Sequence, residues 1–335
     1  MHSVSIIVPC YNEQATISLL LDALNKQTYP RQDMEVIIAD GMSTDGTRQA
    51  INEFQARHPD LHIQIVDNPR RIIPAGLNQA INASTGEFIV RLDAHSVPYP
   101  DYVERCVDAL QKKLGTNVGG VWEIKPATNS WMAKAIAAAA SHPLGVGDAY
   151  YRYIGSARQV DTVPFGAFRR SLIDQVGMFD ETLLTNEDYE FNVRIRQADG
   201  QVWLDPSIRS VYFARPTLPA LVRQYWRYGF WKGRMLRRYP HTLRWRQALP
   251  PIFVISLISL FLFGYWFPVA HILLLAELVV YLITLFLVAA AQAVRNKEIS
   301  LLLGMPLAIA SMHLSWGTAL LVSLVSSLAN PPARA

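Results

Sequence analysis

Residues 87–98 read EFIVRLDAHSVP. Residues 88–92 are a β-prone run, and Asp93-Ala94-His95 follows it directly, ahead of a proline-bounded turn. Taken alone, an Asp-x-His triplet is more often a turn aspartate beside a surface histidine. Just past a buried strand it also reads as a compact metal-binding pair at a sheet edge. Oxygen ligands suit Mg²⁺ and Mn²⁺, and one imidazole moves the preference toward Mn²⁺ or another transition ion.

Working outward, the same strand-then-polar-turn pattern repeats. Residues 4–8 predict a buried strand, and residues 15–26 carry Ile17, Leu20, Leu21 and Leu24 at helical spacing. Strands at 35–39 and 63–66 alternate with helices at 47–57, 73–82 (Pro74 in the first turn) and 101–114. Such alternation predicts an α/β domain built on a mostly parallel sheet covered on both faces. Ligands of open α/β sheets bind beyond the carboxyl ends of the strands. Three polar clusters fall on that rim: Pro9 to Glu13, Asp40 to Gly46, and Asp93 to His95. Asp40, at a strand end, can accept a base or ribose hydrogen bond, while Ser43 to Thr47 caps the next helix. Glu13 reads equally as a helix-start carboxylate.

The later territories differ in character. Residues 126–214 are less regular, with a small-residue helix at 131–140, a turn-rich segment at 164–170 and a helix at 189–197 opening behind Thr185-Asn186-Glu187-Asp188. The expected division is an α/β domain over 1–214 (halves 1–125 and 126–214), interfacial amphipathic helices over 215–248, and a transmembrane region over 249–335. Residues 249–267 carry no formal charge, residues 269–291 carry only Glu277, and residues 299–329 are uncharged but interrupted by Pro306. About 20 apolar residues cross a bilayer, so three spans are expected, the third either broken at Pro306 or tilted. Glu277 and His313, inside spans, are candidates for inter-helix contacts.

Charge gives an orientation. The net charge of +4 hides a stretch from 206 to 276 without Asp or Glu, within which residues 215–246 hold nine Lys and Arg among many aromatics. That arm points to an anionic membrane surface and away from nucleic acid. Arg295 and Lys297 lie on the same side as the arm, and the hairpin tip at 266–268 has no basic residue. The positive-inside rule then puts the α/β domain in the cytosol, with the C-terminus outside. The N-terminus reads as a strand and not as a signal peptide. Cys10 and Cys106 show no metal-type spacing, which fits a reducing compartment.

Pro9-x-Tyr11-Asn12-Glu13, Asp40-x-x-Ser43-x-Asp45-Gly46-Thr47, the Gly76-Leu77-Asn78 helix, Asp93-Ala94-His95 and Glu187-Asp188 occur in an order that resembles glycosyltransferase family 2. The match covers roughly residues 3–235 and is similar to the membrane-anchored bacterial exopolysaccharide members of succinoglycan type. The resemblance implies a GT-A fold, a UDP-sugar donor, a divalent metal (Mn²⁺ or Mg²⁺) and inversion at the anomeric carbon. It assigns Pro9, Tyr11 and Glu13 to the nucleotide pocket, Asp40 to the uracil edge, and Asp93 and His95 to the place of the family's Asp-x-Asp motif. Asp93 would hold ribose and metal, and His95 the metal. His95 is the departure: a neutral imidazole leaves the metal site one charge poorer and pH-sensitive near a reference pKa of about 6.5. Asp188, with Glu187, matches the family's general base. Gln224, Trp226, Arg227 and Tyr228 resemble a Gln-x-x-Arg-Trp signature associated with diphosphate and acceptor contact, with Tyr228 in the Trp position. Arg70 and Arg71 can meet phosphate or only solvent, and Phe165 to Phe168 can wall the sugar or simply turn.

The expected activity is transfer of a hexose, glucose foremost, from a UDP-sugar to a polyprenyl-diphosphate-linked saccharide in exopolysaccharide biosynthesis. The alternatives are a polyprenyl-monophosphate sugar synthase, a processive synthase, or a non-catalytic membrane scaffold of a polysaccharide assembly complex. Self-association or membership of such a complex stays open. A nucleotidyl or phosphoryl transferase would want a glycine-rich phosphate loop, which the sequence lacks.

Overall fold

The computed structural model describes residues 3–329. In chain order its elements are β1 (Val4–Cys10), α1 (Ile17–Asn25), β2 (Met34–Asp40), α2 (Thr47–Arg57), β3 (His62–Asp67), α3 (Ile73–Ala83), β4 (Phe88–Arg91), β5 (Val97–Pro98), α4 (Tyr102–Gln111) and β6 (Asn117–Pro126). There follow α5 (Trp131–Ala140), α6 (Pro143–Val146), β7 (Arg158–Gln159), β8 (Ala167–Arg169), α7 (Leu172–Val176), α8 (Glu187–Gln197) and β9 (Val202–Ala214). The last four helices are α9 (Leu218–Arg238), α10 (Trp245–Phe263), α11 (Pro268–Asn296) and α12 (Leu301–Ala329). Two compact units result. One takes in the residues up to Glu123 with Tyr153–Tyr212; the other takes in Ile124–Arg152 with the residues from Phe213 onward.

In the first unit a mixed sheet runs in the order β3-β2-β1-β4-β8-β6-β9-β5. The β3-β2-β1-β4 half is parallel, as the βαβα alternation predicts. The other half is antiparallel, with β8 against β4 and β6, and β5 and β7 against β9. The expectation of a mostly parallel sheet thus holds only for that first half. After α4 the added strands pair antiparallel to the neighbours they join, although α5 to α8 lie between them in the chain. On one face Val4, Ile6 and Val8 of β1 and Phe88 and Val90 of β4 share a core with Leu20 and Leu24 of α1 and Val103 and Val107 of α4. Register sets the rim. Cys10, Asp40 and Asp67 stand side by side at the carboxyl ends of β1, β2 and β3, and Ile7 stands opposite Arg91.

The second unit is helical. Three of its helices are long and apolar enough to cross a membrane: Trp245–Phe263, Pro268–Asn296 and Leu301–Ser326. Buried residues make up 44% of the third span against 11% in each of the others, so α12 is the inner helix. It packs through Met305, Ala308, Ile309 and Met312 against Ile136 of α5, Leu221 and Tyr225 of α9, and Leu285 and Ala289 of α11. Helix α12 runs unbroken through Pro306, which settles the choice between a break and a continuous span. Pro306 is the sixth residue of the helix, where its missing N–H removes a single bond of the ladder. Glu277 and His313, inside these helices, are both partnered. Ser256 Oγ donates to Glu277 Oε2 at 2.8 Å, and His313 sits between the Tyr281 hydroxyl (3.0 Å to Nδ1) and the Leu144 carbonyl (2.8 Å to Nε2).

Helix α9 lies along α12 through a small-residue seam, Gly229-x-x-x-Gly233. A Cβ on Gly229 would stand 2.2 Å from the Trp316 carbonyl oxygen, and one on Gly233 would stand 2.7 Å from Ser323 Cβ. Close approach of apolar helices through small residues is the packing mode of bilayer-embedded helices. Gly229→Val is expected to destabilise this unit by about 1–3 kcal/mol, because a backbone carbonyl cannot turn aside as a side chain can. The check is the melting temperature of detergent-purified protein, with Gly233→Ala, which meets Ser323 Cβ, also lowering it. Absent shifts at both positions would mean the seam is not tight.

Candidate active site

The rim loops are stitched together by their own short polar residues. Asn12 has left-handed backbone (φ 54), its N–H donates to Ser43 Oγ at 2.8 Å, and its Oδ1 accepts from Thr44 N at 2.9 Å. Glu13 N donates to Thr47 Oγ1 at 2.9 Å, and Gln14 Oε1 accepts from Gly46 N at 2.9 Å. Hydrogen bonds from Thr47 hold the exposed Asp45 carboxyl below the usual carboxylate range. The loops after β1 and β2 therefore form one platform.

Tyr11 stands on it, 44% exposed. The Arg71 guanidinium lies 5.9 Å from the Tyr11 ring centroid, a cation–π pair. Gly41 leaves room for that ring, since a Cβ there would meet Tyr11 Cδ2 at 3.1 Å. Arg70 turns the other way and pairs with Glu181. Asp40 behaves differently from its sequence-based assignment. Its side chain is fully buried, Ser43 N and Arg48 Nε donate to Oδ2 at 3.0 and 2.5 Å, and Ser43 Oγ donates to Oδ1. Asp40 thus offers no oxygen to the rim. It holds the Ser43 loop and Arg48, which reaches on to the exposed Asp67 at 2.5 Å.

Glu13 likewise turns inward along the rim. Thr16 Oγ1 donates to its Oε2, and its Oε1 accepts from His95 Nδ1 at 3.2 Å. A carboxylate accepts, so this bond places a proton on Nδ1. Glu13 is thereby an orienting partner of His95. Asp93 holds its own turn, accepting from Ser96 N and Ser96 Oγ at its carbonyl oxygen (2.9 and 2.7 Å).

Behind Asp93 sits the residue sequence reasoning passed over. Arg91, the last residue of β4, has a side chain only 2% exposed. Its Nη2 donates to Asp93 Oδ1 at 3.3 Å and Glu187 Oε1 at 2.9 Å, and Nη1 pairs with Asp188 Oδ1. Burial works against the charge, but Asp93 and Glu187 more than offset it, so the arginine pKa rises. Three carboxylates sharing one guanidinium leave the cluster net anionic, an environment that favours a cation. Glu187 and Asp188 open α8 behind Asn186, which takes left-handed backbone (φ 69). The next acid, Glu190, is spent on Arg194, which grips it through Nε at 2.7 Å and Nη2 at 2.8 Å. The signal for Arg91 was present: a charge in the middle of an apolar central strand is buried only with partners.

The turn at Phe165 and Gly166 has left-handed backbone at both residues (φ 65 each), and the Gly166 carbonyl accepts from Arg91 N at 3.0 Å. Asn117 and Asn192, also passed over, support it from below, with Asn117 Nδ2 donating to Asn192 Oδ1 at 2.7 Å and Asn192 Nδ2 donating to Thr162 Oγ1 at 3.1 Å. In the helical unit, α9 carries Gln224, Arg227 and Tyr228, whose three- and four-residue spacing shares one side of the helix. Gln224 Nε2 donates to the Tyr228 hydroxyl at 3.0 Å, and Trp226 is exposed. Among the described residues, no group of three or more His, Cys, Asp or Glu is arranged to hold a metal ion.

Residues 5–177 match the sequence model of "Glycosyl transferase family 2". The chain belongs to this family. It is 30% identical over 268 residues to a dolichyl N-acetyl-alpha-D-glucosaminyl phosphate 3-beta-D-2,3-diacetamido-2,3-dideoxy-beta-D-glucuronosyltransferase of Methanococcus voltae, covering 79% of this chain and 83% of the relative. It is 31% identical over 248 residues to the succinoglycan biosynthesis protein ExoA of Rhizobium meliloti, covering 73% of each. Among solved structures, the mannosyltransferase PcManGT of Pyrobaculum calidifontis, in complex with GDP-Man and Mn²⁺, shares the fold with a TM-score of 0.60 at 22% identity, covering 96% of this chain and 87% of that one. This glycosyltransferase therefore has a GT-A-like α/β domain and three C-terminal apolar helices of membrane-spanning length. The rim that carries Tyr11, Glu13, Asp93 and His95, and the start of α8, lie in its α/β unit.

Proposed function

We propose that this enzyme transfers a hexose, with inversion, from a UDP-sugar to a lipid-linked saccharide, a polyprenyl-diphosphate glycan of exopolysaccharide type foremost. The observation that carries the reading is the meeting of Asp93 with Glu187 and Asp188 at one buried arginine, on the rim that also carries Tyr11 and His95. Pro9, Tyr11, Glu13, Asp93 and Arg71 line the nucleotide side, and Asp40 acts there through the loop and the Arg48 that it holds. Asp188 takes the proton from the acceptor hydroxyl as its oxygen bonds to C1 of the sugar and the bond from C1 to the diphosphate oxygen breaks, releasing UDP. Glu187 shares the guanidinium that orients Asp188.

The residues present fit a divalent cation. Asp93 would supply one oxygen ligand and His95, whose Nδ1 faces Glu13, would supply Nε2, a donor pair whose chemistry suits a divalent ion. When bound, such an ion offsets the charge that gathers on the leaving diphosphate. On α9, Gln224, Arg227 and Tyr228 form a basic, aromatic surface suited to the phosphate and sugar of a lipid-linked acceptor, with Trp226 exposed on another side of the helix. The apolar helices keep the enzyme at the bilayer where such an acceptor resides, with the α/β unit in the bacterial cytosol by the distribution of Lys and Arg.

The Methanococcus voltae relative, by its name, uses a monophosphate-linked sugar, and this favours a lipid-monophosphate saccharide as the second acceptor reading. A donor panel (UDP-glucose, UDP-galactose, UDP-N-acetylglucosamine, GDP-mannose) against synthetic polyprenyl-diphosphate and polyprenyl-monophosphate saccharides separates the two. The expected result is a UDP-hexose donor with the diphosphate acceptor, and a GDP-mannose product would overturn the donor assignment.

A further inference from the structure

Arg91 lies outside the short motifs quoted for the family resemblance, yet its guanidinium is where the nucleotide side and the acceptor side of the site touch. We propose that Arg91 is a positioning residue that fixes Asp188 and Glu187 relative to Asp93, so that base and donor carboxylate are held in one geometry by a single buried cation. This rests on the reading of Asp188 as the base.

The geometry argues for a role beyond filling space. The three acids come from separate places in the chain: Asp93 from the turn after β4, Glu187 and Asp188 from the first turn of α8. Arg91 itself is fixed at its backbone, since its N–H donates to the Gly166 carbonyl at 3.0 Å and β4 is paired on both edges. The planar fork then spends its two terminal nitrogens in different directions, Nη1 toward Asp188 and Nη2 toward Glu187 and Asp93. An ammonium is a point charge and cannot present donors in two fixed directions from a rigid plane. Arginine specifically, and not merely a cation, is therefore what this arrangement uses. Displacing a base by about 1 Å costs on the order of 10²-fold in rate.

The test uses the full-length protein in lipid nanodiscs and compares Arg91→Lys, Asp188→Asn and the double variant. Arg91→Lys is expected to keep folding and nucleotide affinity (UDP, by calorimetry) close to wild type, to leave the donor KM within a few-fold, and to lower kcat by about 10²-fold. Because the arginine acts through Asp188, adding Arg91→Lys to Asp188→Asn is expected to lower kcat little further. Multiplicative losses in the double variant, or a kcat of the folded fraction unchanged in Arg91→Lys, would overturn the proposal and leave Arg91 as a structural ion. If Arg91→Lys does not fold, Glu187→Gln, which takes one partner from the same fork, is expected to lower kcat without raising the donor KM, and an unchanged kcat there overturns it. Failure of the base assignment is distinguishable, since it shows as full turnover in Asp188→Asn alone.

Discussion

Replacing Asp188 with asparagine is expected to cut sugar transfer by about 10²–10⁴-fold, the range a general base contributes. The substitution keeps size and shape, and an asparagine oxygen can still face Arg91 Nη1, so the start of α8 should hold its place. What disappears is the capacity to take a proton. Arg91 keeps Asp93 and Glu187 as counter-charges, so no unpaired buried ion is created, and the large destabilisation of a broken buried pair is avoided. The loss should therefore fall on kcat, with UDP-sugar affinity within a few-fold of wild type. Single-turnover rates and calorimetric titration of the same preparation separate the two, and retained turnover would remove Asp188 as the base.

Chelation is the second large effect. With EDTA present, transfer is expected to stop, and Mn²⁺ to restore it. The cluster of Asp93, Glu187 and Asp188 carries more negative charge than Arg91 neutralises, so an incoming diphosphate meets repulsion that a divalent ion relieves. Asp93→Ala should reproduce the chelator's effect in the presence of saturating Mn²⁺, and should also weaken binding of UDP with the metal, a readout independent of turnover. Full activity in chelator would withdraw the roles given to Asp93 and His95.

The parallel half of the sheet, and the helix within residues 15–26, were legible because Ile17, Leu20, Leu21 and Leu24 carry a period that only a helix satisfies. The antiparallel half was not. Its strands, β6 and β9, include Gly119 and Gly120 and Pro206, residues that read as turns, and they succeed as strands because tertiary pairing overrides local preference. A Cβ on Gly120 would sit 1.9 Å from the Ile208 carbonyl oxygen, so that glycine marks contact between backbones and not a break. In the candidate site, the rim positions of Tyr11, Glu13, Asp93 and His95 follow from strand ends alone. The burial of Asp40 does not, because it depends on Arg48 folding back from α2 onto the strand end. Nor does the joining of Glu187 and Asp188 to Asp93, since residues nearly a hundred positions apart meet through a side chain whose significance lies in its burial.

The glycine seam of α9 has a consequence for direction. A helix turns about 100° per residue, so packing Gly229 and Gly233 onto α12 sets the rotational phase of every other residue on α9. Gln224 and Arg227 fall on the side away from the seam, and Tyr225 on the side toward it, which is where it is buried. The azimuth of the basic, aromatic surface is thus written not in the residues that form it but in two glycines that touch something else. Inserting one residue between Tyr228 and Gly229 would leave every side chain of that surface present and aim it elsewhere.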